Sequence, residues 1–164
     1  MEIRPARPEE LPLLPAVERA SGEPFRDIGM PEIADDDPMP LSTLEQLHVW
    51  VAVDPRPVAW VGVEVVDGAA HVEQISVHPD HSRRGIGAAL LGHVEQWAAT
   101  HGLDALTLTT FRDVPWNEPY YRRLGFHEVE TLSPGLRAVV EAERRRGLDP
   151  ATRVCLRKVL IRGV

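Results

Sequence analysis

The sequence predicts an α/β (α+β) protein, a mixed central sheet of about seven strands flanked by helices. Three observations predict it. Three β runs joined by tight turns fill residues 48–77. The apolar spacing then switches to a helical period from Gly85. Strand and helix alternate from there to the C-terminus.

In chain order, Ile3 to Ala6 is a short first strand. Pro8-Glu9-Glu10 opens a helix, since proline is tolerated in a first turn and acids suit its positive end. Leu11, Leu14, Val17 and Ala20 carry that helix to about Gly22. Glu23 to Pro40, rich in Pro, Gly and Asp, is a long loop with room for one helical turn. His48–Val53, Val58–Val66 and Ala70–Val77 form an antiparallel meander, with Asp67-Gly68 as a hairpin turn. Ala89, Leu90, Val94, Trp97 and Ala98 lie on one stripe of a helix from Gly85 to His101, which Gly102 ends. Ala105–Thr110, Phe126–Leu132 and Arg153–Ile161 are the remaining strands. A short helix carries Tyr120, Tyr121 and Leu124. Another runs from Pro134 to about Arg146, capped by Ser133 and closed by Arg144-Arg145-Arg146.

A chain of 164 residues with 43% hydrophobic and 26% charged residues is expected to be a single domain, residues 1–164, with a real core. Its net charge of -7 argues against nucleic acid as a partner and mildly favours cationic substrates. Cys155 is alone, so an internal disulfide is excluded. The start of the chain lacks an apolar leader and no run has membrane-spanning length, so no membrane partner and a cytoplasmic location are expected.

The most informative segment is Val77-His78-Pro79-Asp80-His81-Ser82-Arg83-Arg84-Gly85-Ile86-Gly87-Ala88. It joins a strand to a helix and places two glycines at the helix start. The first N–H groups of a helix lack internal partners, and the helix dipole favours anions there. Glycine lets a phosphate approach closely, and Arg83 and Arg84 add charge. A pyrophosphate suits such a site. A dinucleotide-binding loop would want a third glycine where Leu90 stands, and a βαβ unit in place of the meander.

Val77-x-Pro79 followed by Arg83-Arg84-Gly85-Ile86-Gly87-Ala88-Ala89-Leu90-Leu91 resembles the acyl-CoA loop of the GNAT superfamily of N-acetyltransferases. Ser82 departs from the family's Gln or Arg at that position. Asn117 followed by Tyr120-Tyr121-Arg122-Arg123-Leu124-Gly125-Phe126 is similar to the family's Asn…Tyr-x-x-Leu-Gly-Phe segment. One helix and one strand separate the two motifs, and the element order from Ile3 onward also resembles the family. The helix between the last two strands is a departure.

The resemblance implies an acetyl-CoA-dependent N-acetyltransferase acting on a primary amine of a small molecule or peptide, by direct transfer in a ternary complex. Acyl transfer needs a held donor, a neutral amine, an oxyanion donor and a proton for the leaving thiolate. By resemblance, Gly85, Ile86, Gly87 and Ala88 hold the pyrophosphate with Arg83 or Arg84. The backbone of Ile75, Ser76 and Val77 pairs with the pantetheine arm, Asn117 contacts that arm, and an N–H near Val77 is the oxyanion donor. Tyr121 is the leaving-group acid, while Tyr120 should point elsewhere on its helix. His71 and Glu73 share a face of the strand before the loop, at offsets where the family places its base. Either is a candidate base, and Glu73 could instead bind a cationic amine.

No His/Cys grouping has metal-ligand spacing, so no metal is expected. Cys155 has no base placed for it, which argues against an acyl-cysteine route. Acceptor choice would fall to Glu23–Pro40 and Phe111–Trp116. There Glu32 and Asp35-Asp36-Asp37 are an acidic rim or a solvated charge run, and Trp116 and Trp50 are pocket walls or core. His78 and His81 read as surface residues. A non-catalytic acyl-CoA-binding sensor is the alternative on the same fold, and a homodimer paired through edge strands fits the family.

Overall fold

The computed structural model describes residues 1–161. Among these, seven strands form one mixed sheet, with six α-helices in the same chain. The strands are β1 (Glu2–Pro5), β2 (His48–Val53), β3 (Pro57–Val66), β4 (Ala69–Val77), β5 (Ala105–Phe111), β6 (His127–Glu128) and β7 (Arg153–Val159). Their order across the sheet is β1-β2-β3-β4-β5-β7-β6. The helices are α1 (Leu14–Gly22), α2 (Pro31–Ala34), α3 (Leu41–Leu44), α4 (Ile86–Thr100), α5 (Glu118–Arg123) and α6 (Pro134–Arg145).

The chain divides into two compact units. One holds residues 1–63 and 74–93, the other residues 64–73 and the chain from Val94 onward. In the first, β1 pairs antiparallel with β2, and β2 with β3. Alternate residues Val49 and Val51 join Leu14, Val17, Leu44 and Trp60 in one apolar cluster. That is the burial expected where a period-two strand meets the apolar stripe of a helix.

In the second unit, β4 pairs parallel with β5 over Ala70–Val72. β5 pairs antiparallel with β7 along its whole length, and β6 with β7. The β3–β4 turn has both residues left-handed, Asp67 at φ 50° and Gly68 at φ 78°. This is the two-residue hairpin that Asp-Gly predicts. Ser133 caps α6, its Oγ accepting from the Leu136 N–H. The Asp67 carboxylate accepts from the Gly135 N–H at 2.7 Å, which ties the start of α6 to the hairpin turn.

Four expectations are corrected. The first helix is broken: Pro8–Leu13 is 3-10 and only Leu14–Gly22 is α, because Pro12 and Pro15 each remove a donor and crowd the preceding turn. The stretch read as a loop holds a 3-10 turn at Glu23–Ile28 as well as α2, each opened by a proline, with left-handed Gly29 between them. The strand expected over Phe126–Leu132 shrinks to His127–Glu128, where both side chains are exposed and have nothing to bury against. The last strand stops at Val159, and the Leu160 N–H turns to the Asp104 carbonyl.

Candidate active site

The phosphate-loop residues lie in the first unit. β4 delivers Ile75, half-buried, then Ser76, buried with its Oγ accepting from Gln74 Nε2 at 3.0 Å, then half-buried Val77. A 3-10 turn over Pro79–His81 follows, capped by His78 Nδ1, which accepts from the Asp80 N–H. Thus His78 and His81 are parts of the loop's scaffold.

Two residues then adopt left-handed backbone, Arg83 at φ 62° and Gly85 at φ 73°. Glycine takes that region freely, while arginine does so at a cost. Strain of this kind concentrates where a backbone must aim its groups at a ligand. A Cβ on Gly85 would meet nothing within 4 Å, so the space around the loop is open. The first α-helical bond near this end of α4 runs from the Ala89 N–H to the Gly85 carbonyl at 3.0 Å. The N–H groups of Ile86, Gly87 and Ala88 precede it, as the first donors of a helix do. These residues fit a pyrophosphate.

The two arginines separate. Arg84 is engaged by His81 Nδ1 at 2.8 Å and by the Asp54 carboxylate at 3.6 Å. Exposed Arg83 has no hydrogen bond or ion pair among the described residues and is the one free to reach an anion.

The second unit contains Asn117 and Tyr121. Asn117 opens α5, its carbonyl accepting from the Tyr121 N–H at 3.0 Å and its amide donating to the Trp116 carbonyl at 3.2 Å. Tyr121 is buried, its ring edge-on to Phe126 with centroids 5.8 Å apart. Tyr120, expected to point elsewhere, also meets Tyr121 edge-on at 5.3 Å. Burial pushes the Tyr121 hydroxyl well above the usual phenol range, so it stays protonated at neutral pH.

The same unit gathers a polar cluster around His71 and Glu73. His71 is fully buried on β4, its Nδ1 2.8 Å from Thr107 Oγ1 on β5, and its Nε2 3.9 Å from Glu73 Oε1. Burial lowers its pKa, which keeps the imidazole neutral. Half-buried Glu73 is pushed up to about 8, first by burial, then by the Glu64 carboxyl within hydrogen-bonding reach and by Glu143. Arg146 opposes the rise. Buried Glu143 on α6 accepts from Thr109 Oγ1 and pairs with Arg153 Nε at 3.3 Å. Arg153 in turn donates to Thr109 at 3.1 Å and lies over the Phe111 ring at 4.5 Å. Burial and Glu143 raise the neighbouring Cys155 thiol to about 11.

The structure therefore brings His71 and Glu73 together and adds Glu64, Thr107, Thr109, Glu143 and Arg153. The sequence expectation missed these five. A signal was present: Thr107 and Thr109 alternate with leucines on β5, and Glu64 is a lone acid in an apolar strand. Trp50 is buried in β2, Trp116 is exposed, and of the acidic run Asp35 pairs with Arg26 at 2.7 Å. Among the described residues no group of His, Cys, Asp and Glu is arranged to hold a metal, and no helix is long and apolar enough to cross a membrane.

The model of the acetyltransferase (GNAT) family matches residues 12–126. Solved structures are similar across nearly the whole chain. The Escherichia coli ribosomal-protein-S18-alanine N-acetyltransferase is 17% identical, with a TM-score of 0.68 over 99% of this chain and 96% of that one. The PaiA N-acetyltransferase of Thermoplasma acidophilum, solved with coenzyme A, is 16% identical, with a TM-score of 0.69 over 96% and 98%. A Mycobacterium tuberculosis protein solved with CoA is 20% identical, with a TM-score of 0.68 over 98% and 100%. At such identities the likeness is one of fold.

Proposed function

Because the chain belongs to the acetyltransferase (GNAT) family, we propose that it transfers an acetyl group from acetyl-CoA to a primary amine of a small molecule or peptide, directly within a ternary complex. The observation that carries this is the loop before α4, where left-handed Arg83 and Gly85 precede a helix N-terminus and open space surrounds Gly85. Oriented N–H groups of this kind bind phosphate oxygens. Two similar structures, those from Thermoplasma acidophilum and Mycobacterium tuberculosis, were solved with coenzyme A.

In this proposal Gly85, Ile86, Gly87 and Ala88 offer N–H groups to the pyrophosphate, and Arg83 adds its charge. Arg84 supports the loop through Asp54. The backbone of Ile75, Ser76 and Val77, with Asn117, aligns the pantetheine arm as an added strand would be aligned. Glu73 takes a proton from the amine as its nitrogen attacks the thioester carbonyl, and the Val77 N–H stabilises the oxyanion. Tyr121 Oη–H gives its proton to the departing thiolate. Burial keeps the phenol protonated at neutral pH, so its proton is present when the thiolate forms. Neutral His71, held by Thr107, stands beside Glu73 with its Nε2 3.9 Å from Glu73 Oε1, and burial lowers its own affinity for a proton.

Thermal melting with acetyl-CoA, CoA, NAD and ATP in parallel tests the donor. A ligand bound by the folded state alone raises the melting temperature by mass action. Protection by acetyl-CoA and CoA only is expected, and the absence of both shifts in folded, ligand-free protein ends the proposal. The packing of Tyr121 between Tyr120 and Phe126 also suits a non-catalytic acyl-CoA-binding sensor. Tyr121→Phe separates the two. An enzyme should lose about 100-fold in transfer rate with CoA protection intact, as loss of a general acid costs. A sensor acetylates nothing before or after the change.

A further inference from the structure

Thr107 has no part in the family resemblance, yet it stands opposite His71 in the register of β4 and β5. Its Oγ1 lies 2.8 Å from His71 Nδ1, and the two residues are 2% and 1% exposed. Distance alone does not say which atom donates, but the other partners of each do. A hydroxyl has one proton to give, and a neutral imidazole has one N–H and one bare nitrogen. Among the described residues the Thr107 hydroxyl has no hydrogen-bond partner besides His71 Nδ1. Were Nδ1 protonated, it would donate to Oγ1 and leave the threonine proton buried without an acceptor. Leaving such a group unpaired costs more than one hydrogen bond returns. An imidazolium fails in the same way, since both of its nitrogens donate.

Resting on the function proposed above, we infer that Thr107 is a positioning residue: its hydroxyl donates to His71 Nδ1, fixes the ring as the Nε2–H tautomer, and so turns an N–H toward Glu73, the base.

The placement of Glu73 completes the arrangement. His71 and Glu73 are two apart on β4, so they share a face. His71 Nε2 makes no hydrogen bond among the described residues, and Glu73 Oε1 lies 3.9 Å from it. That is too long for a hydrogen bond, and such contacts commonly tighten once substrate is bound. The Nε2–H then holds Oε1 and leaves Oε2 to take the amine's proton as the nitrogen bonds to the acetyl carbonyl carbon. The proton passes from the amine to Glu73, while His71 keeps its own and carries no charge at any point. In the opposite tautomer a lone pair would face Oε1 and repel the carboxylate. The lowered proton affinity of buried His71 agrees with a ring that stays neutral.

The test reads the ring in the free protein and the rate in turnover. Nitrogen NMR on histidine-labelled wild-type protein at neutral pH should show His71 in one tautomer, with Nδ1 bare and Nε2 protonated. Thr107→Val keeps the shape and removes the hydroxyl. It should give a mixture of tautomers and lower kcat about tenfold, with KM for acetyl-CoA unchanged. Thr107→Ser, which keeps the hydroxyl, should retain both the tautomer and the rate. A wild-type ring protonated at Nδ1, or mixed, overturns the inference whether or not the variants fold. An unshifted tautomer in Thr107→Val overturns the lock. A shifted tautomer with unchanged kcat overturns the role in turnover, as does a loss of rate that Thr107→Ser shares. A single Nε2–H tautomer in a wild-type protein that acetylates no amine counts against the proposed function and leaves the lock between Thr107 and His71 standing.

Discussion

Glu10 and Glu73 are both carboxylic acids withdrawn from water, and their neighbours push them in opposite directions. Glu10 receives two hydrogen bonds from the Arg4 guanidinium, at 2.7 and 2.8 Å, and one from the Arg7 N–H at 2.8 Å. The Arg4 contact, foremost, holds its carboxyl down at about 2. A carboxylate whose folded pKa lies below its unfolded one stabilises the fold above the unfolded value. That contribution fades as pH falls from about 4.5 to about 2. Glu10→Gln should therefore cost on the order of 1 kcal/mol at neutral pH once solvent screening is counted, and the gap from wild type should close toward pH 2 in denaturant melts. An equal gap at both ends would mean that packing, not charge, makes Glu10 valuable. Glu73 shows the reverse case, and its position on β4 was legible from the spacing before the loop. Its surroundings were not. Glu64 lies across a hairpin turn, and a sequence shows which face of a strand a residue takes without showing which acids act on it. The burial of His71 was equally hidden, because it follows from the Thr107 hydrogen bond and from what covers that part of the sheet.

At the scale of elements, α6 depends on one missing side chain. A Cβ added at Gly135 would come within 2.6 Å of both Asp67 Oδ2 and Val66 Cγ1. Both are side-chain atoms that would have to move, and Asp67 would lose its bond to the Gly135 N–H. Gly135→Ala normally favours a helix, by roughly 1 kcal/mol. Here the overlap and the lost helix-start acceptor should reverse the sign, to a net destabilisation of about 1 kcal/mol read from the urea midpoint. A stabilised variant would mean that the hairpin turn yields freely. The hairpin and α6 were both readable, from Asp67-Gly68 and from Ser133-Pro134, but their attachment to each other was not. The same limit explains the elements that differ. Pro12 and Pro15 fix the break in the first helix by local chemistry, and the periodicity of Leu11, Leu14 and Val17 masked it. β6 failed as a long strand because a strand needs a face to bury, and that is a property of its surroundings.

For the whole molecule the net charge of -7 works on the two proposed substrates in opposite directions. A cationic amine is drawn to an acidic protein, and its encounter is favoured over distances of about a Debye length, roughly 10 Å at 0.1 M salt. Acetyl-CoA is an anion and meets the opposite field. It is held instead by local groups, the loop N–H groups and Arg83, where short-range geometry outweighs net charge. Added salt should therefore raise KM for a polycationic acceptor several-fold between low and physiological ionic strength. KM for an amine with no second charge should change less, and KM for acetyl-CoA should stay flat or fall. Initial-rate titrations of each substrate at two salt concentrations read all three values. Equal salt responses for polycationic and monocationic acceptors would place the recognition of the amine in short-range contacts alone. A rise in KM for acetyl-CoA as steep as that for the polyamine would mean that the basic loop, and not the acidic whole, governs encounter. The first outcome would turn the search for the acceptor toward hydrophobic amines, and the expected one toward polyamines and basic peptides.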